Sequence, residues 1–166
     1  MIRLCAQVTA LALSVAATLV NGSPAGATTA PAPAIVWVDV RVNAAWPIGK
    51  AVSIVDTYTG TRLRLGACRS GVACIVIRED RHLPRQWAAA TYPGWPITKI
   101  KLNPTRRTSP YGQRLHTLLH ELGHARGIHT HNVRCSSVMY YSMRCPSGWI
   151  APNTFTRAER RILRRH

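Results

Sequence analysis

The stretch from Ser109 to Gly127, SPYGQRLHTLLHELGHARG, leaves the chain the least conformational choice. Leu115, Leu118, Leu119 and Leu122 recur at intervals of three and four, the spacing that stacks side chains on one face of an α-helix. Ser109 reads as the N-cap, Pro110 as the first helical residue and Gly127 as the stop, which predicts a helix of about seventeen residues. Its leucine face has to be buried, so the rest of the chain must supply a layer for it to lie on.

What precedes this helix reads mostly as strands. IVWVDVRV (35–42) alternates with Val36, Val38, Val40 and Val42 on one side, the period of a strand. TRLRL (61–65) and CIVIRED (74–80) flank the turn GACRSGVA and are expected to pair with each other. GWPITKIKLN (94–103) also alternates, and its lysines predict a wet face or a sheet edge. Between the first two strands, PIGKAVSIVDTYT places Ile48, Val52, Val55 and Tyr58 at helical spacing behind Pro47. PTRRTSP (104–110) is a loop, and 136–153 has no sustained period. From Thr154 a last helix is expected, with Phe155, Ala158, Ile162 and Leu163 facing inward. Strands and helices in this proportion define an α/β (α+β) domain, and 166 residues suffice for one such core.

Residues 1–27 carry a single Arg3, an apolar run and an A-x-A ending at Ala27, the pattern of a secretory signal peptide, with the mature chain starting near Thr28. Gln7, Thr9, Ser14 and Thr18 interrupt the run, so a transmembrane anchor is not expected. Cys5 would leave with the leader. TTAPAPA (28–34) reads as a linker, and 35–166 as the domain. Cys68, Cys74, Cys135 and Cys145 then remain, an even number in an exported chain, where disulfides are favoured. Three connectivities exist, of which local pairing, Cys68 with Cys74 and Cys135 with Cys145, is the simplest.

The formal charge is +16, from 22 Lys and Arg against six Asp and Glu. Such a field attracts anionic surfaces and weakens with salt. The basic residues are spread along the chain without an interleaved aromatic platform, so specific nucleic-acid recognition is not expected.

The chemistry concentrates in HELGHARGIHTH (120–131). Positions four apart on a helix stand one above the other, so His120 and His124 can direct two imidazoles at one metal ion. Glu121, turned about 100° away, can reach a water on that ion as general base. His116 lies one turn too far along the axis to join a compact tetrahedron. His82 and His166 carry no partner signal.

These residues resemble the metzincin superfamily of zinc endopeptidases, whose pattern is HExxHxxGxxH followed by a Met-turn. The resemblance covers LHTLLHELGHARGIHTHNVRCSSVMYY and is strongest in HELGH, Gly127 and SSVMY; the closing FTRAERRILRR is similar to the last helix of short matrixin-like enzymes. It implies a small mixed sheet, a central zinc-binding helix and a C-terminal helix, with His120 and His124 as ligands, Glu121 as base and Met139 below the metal. The family's third ligand falls on Thr130 here, a poor ligand beside imidazole. Its neighbours His129 and His131 both remain candidates, with His131 preferred because a longer loop can bulge whereas a shorter one must stretch. Tyr141 is a candidate transition-state donor, as in the astacin and serralysin branches. Glu159 is a further candidate ligand, in the manner of gluzincins, although Gly127 and the Met-turn argue for a cap on an exposed helical face instead. A Cys135–Cys145 bridge would restrain the Met-turn.

The expectation is a secreted, monomeric Zn2+ endopeptidase acting on protein or peptide substrates, the substrate lying beside an edge strand, with the lysine-bearing 94–103 as candidate. Two alternatives are a protease-like binding module without turnover and a basic secreted protein that binds anionic surfaces.

Overall fold

The computed structural model describes residues 34–142, 145 and 152–166. The leader assigned to 1–27, Cys5 and all of the linker but Ala34 lie outside the described residues. In chain order come β1 (Ile35–Arg41), α1 (Ile48–Asp56), β2 (Arg62–Leu65), β3 (Cys74–Glu79), β4 (Ala89–Tyr92), β5 (Ile97–Leu102), α2 (Tyr111–Ala125) and α3 (Arg157–Leu163). The strands form one mixed sheet in the order β2-β1-β3-β5-β4, parallel except for β4, which runs antiparallel to β5. The α/β class read from the sequence is the one observed.

The valine alternation in β1 sorts the two faces of the sheet. Val36 is in register with Leu63, Val38 with Ile75, and Ile77 with Ile100. All of these, with Leu102, are at most 5% exposed. They pack with Ala51, Val52 and Val55 of α1 and with Leu115, Leu118, Leu119 and Leu122 of α2 in one core. Burying a side chain of this size contributes about 1.5–3 kcal/mol, so the leucine face locks α2 onto the sheet. The opposite face is wet and basic: Arg62, Arg64, Arg78 and Lys99 are exposed there. Arg69 lies over the Trp37 ring at 4.2 Å and Lys101 over Tyr92 at 4.7 Å.

β2 and β3 do not pair, contrary to expectation. β1 lies between them, with Trp37 in register with both Arg64 and Cys74. Because β3 begins at the level where β2 ends, residues 66–73 need only step across β1, and a helix is not required to span the distance. Gly66 makes the step against Trp37, whose ring carbon would stand 3.0 Å from a Cβ, and the Cys68–Cys74 disulfide closes the crossover.

The lysine-bearing strand is wet on one face but is not an edge. β4 covers its outer side, leaving β4 itself as the edge; AATY has too little β propensity and too short a pattern to read as a strand without that pairing. α2 is fifteen residues long and its N-cap is Pro110, not Ser109. Pro110 has extended ψ, and the Ser109 carbonyl accepts from the Arg114 guanidinium. In the last helix Ala158 is exposed and Glu159 is buried, the reverse of the expected order.

Glu79, at the end of β3, accepts from Trp46 Nε1 at 3.1 Å and pairs with Arg107. The Arg107 hydrogen bond holds its carboxyl below the ordinary 4.5. Glu79→Gln should lower stability at pH 7, by less than a buried pair would because solvent screens Arg107, measured by urea unfolding. Because the folded-state value is depressed, the contribution is present above pH 4.5 and is lost as pH falls through the folded value. The gap between wild type and variant should therefore close below pH 4.5.

Candidate metal centre

α2 ends in a Schellman motif. Ile128 N–H donates to the Gly123 carbonyl at 3.0 Å and Gly127 N–H to the His124 carbonyl at 3.1 Å, with Gly127 at φ +93°. The turn sends Ile128 into the core, 2% exposed, and turns the following residues back over the helix. Asn132 N–H then donates to the Met139 carbonyl at 2.7 Å, which pins the far end of the loop.

Between these two anchors His131 swings over the helix. Its Nε2 stands 3.1 Å from His120 Nε2 and 3.3 Å from His124 Nε2, and the latter two are 3.1 Å apart. Four-coordinate zinc with Zn–N of about 2.0–2.1 Å requires N···N of about 3.3–3.4 Å. His120 Nδ1 lies 2.8 Å from the Val138 carbonyl and His124 Nδ1 2.6 Å from the Ile128 carbonyl. A carbonyl can only accept, so each Nδ1 carries the proton and each Nε2 lone pair is turned to the common point. Three ring nitrogens converging this closely could hold a cation, and the three histidines fit zinc. Burial pushes His120 down to about 3 and lowers His124 as well, keeping both imidazoles neutral as ligands must be.

His129, the alternative to His131, lines the same cleft but is not in the cluster. Thr130 is exposed. His116 is 2% exposed with its ring centroid 6.3 Å from that of His120, a neighbour outside the three-histidine group.

Glu121 is 7% exposed and faces the cleft. Its Oε2 accepts from the Thr91 hydroxyl of β4 at 2.6 Å. Burial pushes the carboxyl up to about 7, against the opposing pull of that hydroxyl. A carboxyl balanced near neutrality can take and return a proton at small cost.

Met139 is fully buried against the helix turn that separates His120 from His124. A Cβ at Gly123 would stand 2.6 Å from Met139 Sδ and 3.0 Å from the Phe155 ring, so the glycine inside HELGH is where the methionine fits. Ser137 Oγ donates to Glu159, whose carboxylate also accepts from Asn132 Nδ2 at 3.0 Å and from Thr156 N–H at 2.7 Å. Glu159 thus caps α3 in a capping box with Thr156. It is 5% exposed and outside the histidine cluster, so it is a cap, as favoured over a ligand, but a buried one.

Tyr141 is 66% exposed, and its hydroxyl accepts from Tyr140 at 3.1 Å; both line the cleft. The disulfide Cys135–Cys145 closes the loop around this pair and packs with Tyr140. The second disulfide and the first, Cys68–Cys74, are the two local pairings. Thr91, Gly123 and the contact of His166 with Gly127 carry no signal in a linear reading; only the cleft wall and the helix end reveal them. Arg126 donates to the His166 carbonyl, and a Cβ at Gly127 would meet the His166 ring at 2.5 Å.

The cleft encloses about 870 Å³, with Ala89–Thr91 of the edge strand along one side and α2 along its floor. No family model and no curated protein matches the sequence. The fold is similar to the crystal structure of archaemetzincin from Methanopyrus kandleri, with a TM-score of 0.51 and 11% identity over 83% of this chain and 97% of that one. At that identity the likeness is one of fold, and it agrees with the metzincin-like architecture that the sequence resemblance implied.

His131→Ala should lose bound zinc, measured by atomic emission after dialysis, while His129→Ala should retain it. Loss of metal with His129→Ala alone would reverse the assignment.

Proposed function

We propose that the protein is a zinc-dependent endopeptidase, exported through its leader, with His120, His124 and His131 holding Zn2+ and Glu121 as general base. The observation that carries this reading is the convergence of three Nε2 atoms beside a buried carboxyl in an open cleft. The similarity of fold to archaemetzincin supports it. The cysteine pairs support an oxidising destination, and among the described residues no helix is long and apolar enough to cross a membrane.

Zinc, when bound, supplies a Lewis acid that polarises the peptide carbonyl and makes water acidic enough to ionise near neutral pH. The chain's own groups do the rest. The unpaired backbone edge of β4 binds an extended peptide by strand addition, replacing the lysine-bearing strand in that role. Thr91, one residue of that edge, holds Glu121 Oε2, which leaves Oε1 to take the proton of the attacking water. Glu121 then returns it to the leaving amine. Tyr141, at the exposed lip of the cleft, is the candidate to donate a hydroxyl proton toward the carbonyl oxygen. Partners on this reading are protein or peptide chains, and the enzyme acts as a monomer.

The test is hydrolysis of casein and of a mixed peptide library by the zinc-loaded full chain. Glu121→Ala should reduce turnover by about 10²–10⁴-fold at unchanged zinc content, and chelation should abolish it. Equal inactivity of wild type and Glu121→Ala with zinc bound would replace this reading by a binding module.

A second reading has its own observation, the exposed basic face of the sheet remote from the cleft. That face suits attraction to anionic surfaces. Retention on an inorganic polyphosphate matrix should fall steeply between 50 and 200 mM salt, and replacing Arg62, Arg64, Arg78 and Lys99 by Ser should abolish it while casein hydrolysis persists. Unchanged retention in that variant would remove the face from consideration.

A further inference from the structure

The cleft does not end at the histidines. It continues along α2 toward the N-terminus of the helix, past Thr117 and Gln113. At 1.5 Å per residue Gln113 stands about 10 Å from His120 along the axis. There Arg106, from the single 3-10 turn Pro104–Arg106 that joins β5 to α2, lines the same cleft.

Arg106 is a cation without an anion. Its Nη2 donates to the Arg85 carbonyl at 3.2 Å, and its Nε is enclosed without a partner. The neighbouring Arg107 takes Glu79, and Lys101 takes Asp80; no ion pair among the described residues includes Arg106. Among the described residues Glu121 is the single acid in the wall of the cleft, and it is engaged with Thr91. A half-buried guanidinium has five donors in a planar fork that matches a carboxylate, and the Arg85 carbonyl takes only one of them.

We propose that Arg106, with Gln113 beside it, forms a carboxylate-reading subsite, so that the substrates of this cleft carry an acidic group within about three residues of the bond cut. An extended peptide advances about 3.3 Å per residue, so about three residues cover the roughly 10 Å between His120 and Gln113, and a glutamate side chain turned to that wall can meet Arg106. The carboxylate can belong to an Asp or Glu side chain or to the end of the substrate chain. This inference rests on the peptidase reading above.

The experiment uses internally quenched peptides in matched sets: Glu or Gln at each position flanking the cleaved bond, each with an amidated or a free C-terminus. With the zinc-loaded wild type, kcat/KM for the best Glu peptide should exceed that of its Gln counterpart on the order of tenfold or more. Arg106→Gln should bring the Glu peptide down to the Gln level and leave the Gln peptide unchanged, which also shows that the variant is folded. Arg106→Lys should keep part of the preference. A preference that follows the free C-terminus instead assigns the subsite to a terminal carboxylate. Equal cleavage of Glu and Gln peptides by wild type, or an equal loss for both in Arg106→Gln, overturns the subsite and leaves the peptidase standing. If nothing is cleaved, calorimetry of the Glu peptide on the zinc-loaded protein decides: binding lost in Arg106→Gln supports the subsite while the peptidase reading falls, and binding unaffected by Arg106→Gln sinks the subsite as well.

Discussion

A single buried carboxylate holds the site half of the molecule together. Glu159 is the acid through which three segments distant in sequence are bonded: Ser137 before the methionine, Asn132 just after the third histidine, and Thr156 at the start of α3. A carboxylate at 5% exposure is tolerated only when its oxygens are matched by donors, and here the donors come from the pieces that must stay in register. Ser137 passes the constraint on through its Oγ, which accepts from Met139 N–H at 2.9 Å. With Val138 so placed, its carbonyl meets His120 Nδ1. The position of an imidazole on α2 is thus referred, through two hydrogen bonds and a turn, to the last helix of the chain.

The histidines are held by backbone rather than by other side chains. The carbonyls that orient His120 and His124 belong to Val138 and Ile128, both buried in the core. Their positions follow from the packing of the leucine face and the Schellman turn, so the donor set is preorganised by the same burial that stabilises the fold. The edge strand adds the other wall. Its Thr91 reaches Glu121, which ties the buried carboxyl of α2 to the edge strand.

Much of this was legible in the chain. HELGH at helical spacing, the leucine stripe, Gly127, the valines of β1 and the close cysteine spacing all rest on local periodicity, which a linear sequence displays directly. β4 was not legible because AATY becomes a strand only by pairing with β5. The β2-β1-β3 order was hidden because adjacency in sequence suggests a hairpin, whereas the stagger of β2 against β1 permits a short parallel crossover. Ala158 and Glu159 were read in the wrong order because an acid looks solvated until its donors, Ser137 and Asn132, are seen twenty and more residues away. Between His129 and His131 the sequence offered only loop length. The structure adds the anchors at Ile128 and Asn132 that turn His131 inward.

The chain has six acidic side chains, and each is engaged within the fold: Asp39 with Arg41, Asp56 with the Leu63 N–H, Glu79 with Arg107, Asp80 with Lys101, Glu121 with Thr91 and Glu159 with Ser137. The exterior is in effect that of a polycation, already self-repelling at neutral pH. Acidification adds to that repulsion, because it charges seven histidines and neutralises six carboxylates that are all engaged in the fold. The anion around the molecule acts on the same repulsion: dilute, low-salt buffers let its arginines repel one another, while sulfate or phosphate, by neutralising them, acts as a stabilising co-solute.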